Sequence, residues 1–252
     1  MARGARRPLI EKSRYSAFHG KDGMGDLGIP PSKRIVDHRS AVELIRDLIE
    51  ASPDPVIICP LAPLTNIALF LRSFPETAKK VRIVLMGGSA SAGNATALAE
   101  FNIWHDPEAA AIVFSSGVPI SMYGLDVFWD PVISVEQASK LQTSEDPCAN
   151  FAGKLIAATI HRTGSSSLTI GDAGALVLAI FPHLFTLKTF DVVIDTSTGP
   201  GRGQTIVDRR PIEQFSESDV LLIDAAKTIV ALNHLDVEHV QRLWLCTIDT
   251  FW

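Results

Sequence analysis

Cysteine is scarce in this chain: Cys59, Cys148 and Cys246 are widely separated in 252 residues and form no CxxC pair, which leaves neither a disulfide framework nor a zinc knuckle to expect. A reducing compartment, the cytoplasm, is the expected location. Surplus positive charge is lacking as well. Lys and Arg number 23 against 28 Asp and Glu, a net charge of −5, so no basic excess is available for the phosphates of a nucleic acid. Apolar stretches such as 109–113 and 173–181 are interrupted well before the roughly 20 residues that a bilayer-spanning helix needs, so no membrane partner is expected. The opening Arg3, Arg6 and Arg7 lead into Glu11, Lys12 and Arg14 instead of the apolar core of a signal peptide.

What is present reads as α/β. Two β-branched runs, 56–59 and 81–86, are each bounded by Pro or Gly and followed by helical patterning, as buried parallel strands would be. Between them, Leu64, Ile67, Ala68 and Leu71 recur at helical spacing from Pro63, a residue favoured at a first helical position. Asp106-Pro107-Glu108 spells an N-cap, a first-turn proline and a dipole-complementing acid for a helix over 109–114, which Gly117 ends. The pattern further predicts a strand at 118–125, helices at 135–141 and 150–161, and a mobile Gly/Ser loop at 163–167. Strands follow at 191–194 and 204–207 around the Gly-rich turn 199–203, and a closing helix is expected within 218–233. One open, mostly parallel sheet with flanking helices accommodates all of these.

Ligands of such sheets sit beyond the carboxyl ends of the strands. Here those ends are followed by Thr65-Asn66, by Gly87-Gly88, and by Asn94, Glu100 and Asn102: amides, small residues and one carboxylate, suited to a neutral polyhydroxylated ligand. A purely local reading also exists, in which these side chains cap helices and satisfy backbone groups. Asp22 and Asp26 lie in a Gly-rich stretch, 20–28, whose acids would repel phosphate and whose spacing matches no EF-hand, so a surface loop is expected there.

Four segments, Val84-Leu85-Met86-Gly87-Gly88, Gly93-Asn94-Ala95-Thr96, Ala99-Glu100-Phe101-Asn102 and Asp106-Pro107-Glu108-Ala109-Ala110, in that order, resemble the inosine-uridine preferring nucleoside hydrolases. Pro8-Leu9, His19-Gly20 with Asp22-Gly23, Pro63-Leu64-Thr65-Asn66, and Arg202-Gly203-Gln204-Thr205 before Asp208 add to the likeness. The resemblance implies hydrolysis of the N-glycosidic bond of small-molecule ribonucleosides to ribose and free base, with a bound Ca²⁺. It implies Met86, Asn94, Glu100 and Asn102 as contacts of the ribose, and the Thr65 backbone carbonyl and Asp172 as calcium ligands.

Two departures from the family pattern set further expectations. No Asp-rich DTDPGxDD motif occurs in the sequence, and that motif supplies most calcium carboxylates and the general base of the family. Met1 enters about where the family reaches a segment like Arg3-Gly4-Ala5-Arg6-Arg7-Pro8-Leu9, so the expectation is one nucleoside hydrolase-like domain over 1–252, incomplete at its N-terminus and lacking the family's first strand-helix-strand portion. Calcium binding is then expected to be weak or absent, catalysis impaired, and an exposed sheet edge open to homo-oligomer formation. The second departure is Gly171-Asp172-Ala173, where many members have His-Asp-Pro and the His is proposed to protonate a leaving purine. His161 is the candidate catalytic substitute, against a plain helix-end histidine. Asp172 is either a calcium ligand or the N-cap of the following helix. The alternative to an enzyme is a noncatalytic nucleoside- or ribose-binding relative or scaffold. An unrelated nucleotide-binding module is disfavoured because no GxxxxGK[ST] occurs.

Overall fold

The computed structural model describes residues 1–211, 225–234 and 236–249. Residues 1–40 are largely irregular, with a 3-10 turn at Ala17–His19. Helix α1, Ala41–Ala51, is opened by a capping box in which Ser40 and Glu43 satisfy each other's backbone N–H. Strand β1 (Val56–Ile58), helices α2 (Thr65–Ser73) and α3 (Pro75–Ala78), and strand β2 (Val81–Met86) follow. Helices α4 (Phe101–His105) and α5 (Pro107–Phe114) lead to strand β3 (Ile120–Tyr123) and helix α6 (Leu125–Phe128). Next come β4 (Val132–Ser134), α7 (Val135–Gln142), α8 (Pro147–Thr163), β5 (Ser167–Thr169) and α9 (Ala173–Ile180). The described chain closes with β6 (Phe185–Ile194), β7 (Thr205–Val207), β8 (Ala226–His234) and α10 (Val237–Ile248).

Six strands make one sheet in the order β1-β2-β3-β8-β6-β7, while β4 and β5 pair as a separate antiparallel ribbon. The run from β1 through β8 is parallel; β6 lies antiparallel to β8, and β7 to β6. This is the α/β architecture that the sequence pattern predicts. Alternation along β2 feeds two cores, with Val84 and Met86 packed on one face of the sheet and Val81, Ile83 and Leu85 on the other.

Several elements differ from expectation. The stretch 226–233 is not a closing helix but most of β8, which fills the slot between β3 and β6. Burial alternates along its first half, with Thr228 and Val230 inside and Lys227 and Ile229 outside, but the polar Thr228 is buried and the apolar Ile229 exposed, so residue type does not follow the alternation. The helix comes later, as α10, opened by the Asp236 carboxylate accepting from the His239 N–H. Residues 218–224 of the same expectation lie outside the described residues. The segment 163–167 is only in part a loop. Helix α8 runs to Thr163, Gly164 ends it at φ +68°, and Ser167 already begins β5. The glycine-rich stretch is a surface loop as expected, tied by the Asp26 carboxylate accepting from Lys21 and Asp22 N–H and by Asp22 accepting from Met24 and Asp26 N–H. Gly23, Gly25 and Gly28 are spaced as GxGxxG, yet no strand precedes them and no helix opens on them, so they lack the context of a dinucleotide fingerprint.

Candidate functional site

The carboxyl ends of the parallel strands are levelled by backbone bonds that cross between them. Met86 donates to the Pro60 carbonyl beyond β1 (2.9 Å), and Gly87 donates to the Tyr123 carbonyl at the end of β3 (3.2 Å). The turn after β2 needs its glycines. Gly88 has φ +75°, and a Cβ there would come within 2.8 Å of both Met122 Sδ and Thr205 Oγ1. That close approach carries the Gly88 N–H to Glu100 Oε2 at 3.0 Å.

Glu100 is 2% exposed and caps α4: its carboxylate accepts from the Asn102 N–H (2.9 Å) and the Ile103 N–H (3.2 Å) as well as from Gly88. Burial pushes its pKa up to about 6, and the charge of Asp172 adds to the rise, while the three amides oppose it. Asn102, also buried, donates through Nδ2 to the Met86 carbonyl (3.0 Å) and to Met86 Sδ (3.3 Å), which leaves its Oδ1 to accept from a ligand. Asn94 sits at the exposed mouth, its Oδ1 accepting from the Phe101 N–H (2.9 Å), in a tight loop whose Asn94, Ala95 and Thr96 N–H groups all meet the Ala99 carbonyl. Met86, Asn94, Glu100 and Asn102 are therefore one bonded rim. The capping reading and the ligand reading coexist at Glu100, because the same amides that cap the helix hold the carboxylate in place.

Asp172 is linked to this rim by its charge on Glu100, whereas the Thr65 side chain is engaged elsewhere. The Thr65 hydroxyl donates to Asp106 Oδ2 at 2.6 Å, and the fully buried Asp106 also accepts from the Leu9 N–H (3.0 Å) and the Ala109 N–H (3.2 Å). Asp106 is thus a helix starter and a knot joining three segments. Asp172 heads α9 but makes no capping bond through its side chain, so the N-cap role expected of it is not realised. Burial raises its pKa, and the charge of His19 works in the opposite direction. His19, rather than His161, is the imidazole at this corner. His161 stands in the exposed last turn of α8, where its neighbour Arg162 donates to the Phe18 carbonyl. The sequence did carry a signal for His19, since its His-Gly pair belongs to the family-like segments.

Calcium ordinarily takes six to eight oxygens. The resemblance assigns two of them here, the Asp172 carboxylate and the Thr65 carbonyl, while the Glu100 oxygens already accept backbone N–H groups. No group of three or more His, Cys, Asp or Glu able to hold a metal exists among the described residues. These residues do not fit a complete calcium shell.

Comparison with known proteins agrees with the geometry. The chain matches the inosine-uridine preferring nucleoside hydrolase family over residues 1–241. A non-specific ribonucleoside hydrolase, RihC, of Salmonella paratyphi B is 39% identical over 214 residues, spanning 82% of this chain and 68% of the relative. Its counterpart in Salmonella agona is 40% identical over the same length and shares. Among solved structures, the plant nucleoside hydrolase PpNRh1 superposes with a TM-score of 0.87 at 25% identity, over 98% of this chain and 79% of its own. A purine-preferring ribonucleoside hydrolase from Gardnerella vaginalis gives 0.83 at 29% identity, over 97% and 78%.

Proposed function

This chain belongs to the inosine-uridine preferring nucleoside hydrolase family, and we propose that it recognises ribonucleosides by their ribosyl group and acts at the N-glycosidic bond with slow turnover. The observation that carries the reading is the buried Glu100 carboxylate, held by three amides beside Asp172 at the carboxyl edge of the sheet.

Cleavage of an N-glycosidic bond leaves positive charge on the sugar ring, so groups that favour that charge lower the barrier. Glu100 is ionised above about pH 6 and cannot swing away, because each of its oxygens is engaged. Its negative charge in a water-poor site therefore meets the ring charge as it develops, without reorganisation. Asn102 Oδ1 and the Asn94 amide hydrogens are the complementary acceptor and donor for sugar hydroxyls. For the proton that the departing base needs, the chain offers His19 at the Asp172 corner ahead of His161, and Gly171 offers none. Asp172 is the carboxylate here best able to take a cation, and a single carboxylate does not hold calcium tightly. The sparse donor set favours a second reading, a ribose-binding relative that does not hydrolyse. Cytoplasmic location forms part of the proposal and is supported by three free cysteines.

Ribose release from inosine and uridine, followed with and without added calcium alongside calorimetric titration with ribose, tests both readings. Ribose binding that Glu100→Gln weakens, with turnover well below about 1 s⁻¹, is the expected result. Turnover at ordinary enzymatic rates refutes slow catalysis; no binding of ribose or nucleoside refutes the site.

A further inference from the structure

The family-like segment Arg202-Gly203-Gln204-Thr205 makes the turn into β7 and lies against two neighbours of Glu100. Gly203 has φ +82°, and a Cβ there would come within 2.8 Å of Trp104 Cα, so the turn packs directly on the backbone of α4. Thr205, which is buried, holds its Oγ1 2.8 Å from where a Cβ on Gly88 would stand. Both neighbours bond to Glu100. The Trp104 N–H donates to the Glu100 carbonyl (2.8 Å), and the Gly88 N–H donates to the Glu100 carboxylate (3.0 Å).

Arg202 ties this turn to the N-terminal segment and to α5. Its Nε donates to Glu11 Oε1 (2.6 Å), its Nη2 to Glu108 Oε1 in the first turn of α5 (2.5 Å), and its Nη1 to the Thr196 carbonyl. Glu11 passes the link on, because its other oxygen accepts from Arg14 Nη2 at 2.8 Å. Arg14 in turn donates to the Trp104 carbonyl and sets its guanidinium 3.8 Å from the centre of the Trp104 ring. Trp104 is therefore held at its Cα by Gly203 and at its carbonyl and ring by Arg14. The four charged side chains balance one another and are largely buried, which makes their bonds firmer than those of exposed pairs. Only a planar fork serves three acceptors at once; a lysine ammonium on a flexible stem does not. Helix α4 needs such outside support, since five residues are too few to keep their conformation by backbone bonds alone.

We propose that Arg202 is a positioning residue for ribosyl recognition: it fastens the β7 turn, residues 11–14 and the head of α5 around Trp104, and so fixes the short helix that carries Glu100 and Asn102. The role rests on the ribosyl reading of that rim, whereas the fastening itself needs no ligand.

The test compares wild type, Arg202→Lys and Glu11→Gln, each as the whole chain, by amide hydrogen exchange and by calorimetric titration with ribose. The Gly88, Asn102 and Ile103 amides all donate to Glu100, and in Arg202→Lys their exchange should rise about tenfold while that of the β6–β8 pairing stays put, with ribose affinity falling about fivefold. Glu11→Gln keeps one acceptor for two arginines and should loosen the same amides to a lesser degree. No rise, or an equal rise across the sheet, overturns the positioning role, because a general loss of stability exposes all amides alike. Selective loosening with ribose affinity unchanged overturns it too and leaves the ribosyl site standing. If wild type binds neither ribose nor inosine, the ribosyl reading falls and the positioning role falls with it, whatever the exchange shows. Should Arg202→Lys fail to fold, Glu11→Gln decides by the same two measurements.

Discussion

Glu100 concentrates the chemistry of the site in one titration. Its pKa in the folded chain is raised from 4.5 to about 6, so between those values the folded state holds a proton that the unfolded state has lost. Its contribution to stability is complete below pH 4.5 and disappears as pH rises through about 6, where a buried charge must be carried. Activity should run the opposite way. Ribose release, or nucleoside binding where release is too slow, should gain a step with an apparent pKa near 6 on rising pH, and Glu100→Gln should flatten it; a wild-type profile level from pH 5 to 7 contradicts the role. At this scale the sequence was informative where residue type and spacing coincide. Met86, Asn94, Glu100 and Asn102 were legible as a rim, and the structure does bond them together. For Asp172 the sequence left calcium ligand and helix cap both open, because a local pattern of Asp before an apolar helix does not reveal which way the carboxylate turns; the structure shows no capping bond from its side chain. His19 and Asp172 lie far apart in sequence, and no periodicity links them.

Among the elements, α9 illustrates how a helix head is placed by what it touches. Gly174 sits against Tyr123, and a Cβ there would overlap the phenol ring. Tyr123 cannot retreat, since it is fully buried and packed against Phe185 and His234. Gly174→Ala should therefore cost roughly 1–3 kcal/mol in denaturant melts, typical of overpacking, and should weaken ribose binding by moving Asp172 with the helix. Unchanged stability and binding would show that α9 can slide. Helix α5 was readable from its Asp106 cap and first-turn proline and β2 from a buried β-branched run, whereas α2 was readable from apolar spacing alone, since it starts at Thr65 behind Leu64 with no side-chain cap and Pro63 lies outside it. Strand β8 was not readable. A run whose residue types do not follow its burial suits a helix as well as a strand, and only its neighbours β3 and β6 decide between them. The β4–β5 ribbon escaped notice for a related reason, since its strands are three residues each and take their conformation from one another.

On the scale of the whole molecule, β1 is an outer strand with one side unpaired in the described sheet, and Ile57 at its centre is 40% exposed. Within the strand itself, Val-Ile-Ile, no charge guards the edge; its prolines, Pro55 and Pro60, stand only at the flanks. Size-exclusion chromatography with light scattering should find dimers or larger species at micromolar concentration, and Ile57→Lys should shift them towards monomer. A monodisperse wild-type monomer would count against an adhesive edge.

The position of β8 between β3 and β6 has a consequence during synthesis. Both flanking strands leave the ribosome before the one that joins them, so a growing polypeptide must hold two half-sheets apart with their hydrogen-bonding groups open to chaperones and to other nascent chains. Closure then happens late and nearly all at once, which ties the assembly of the sugar rim, built on β2 and β3, to a strand encoded more than a hundred positions downstream of it.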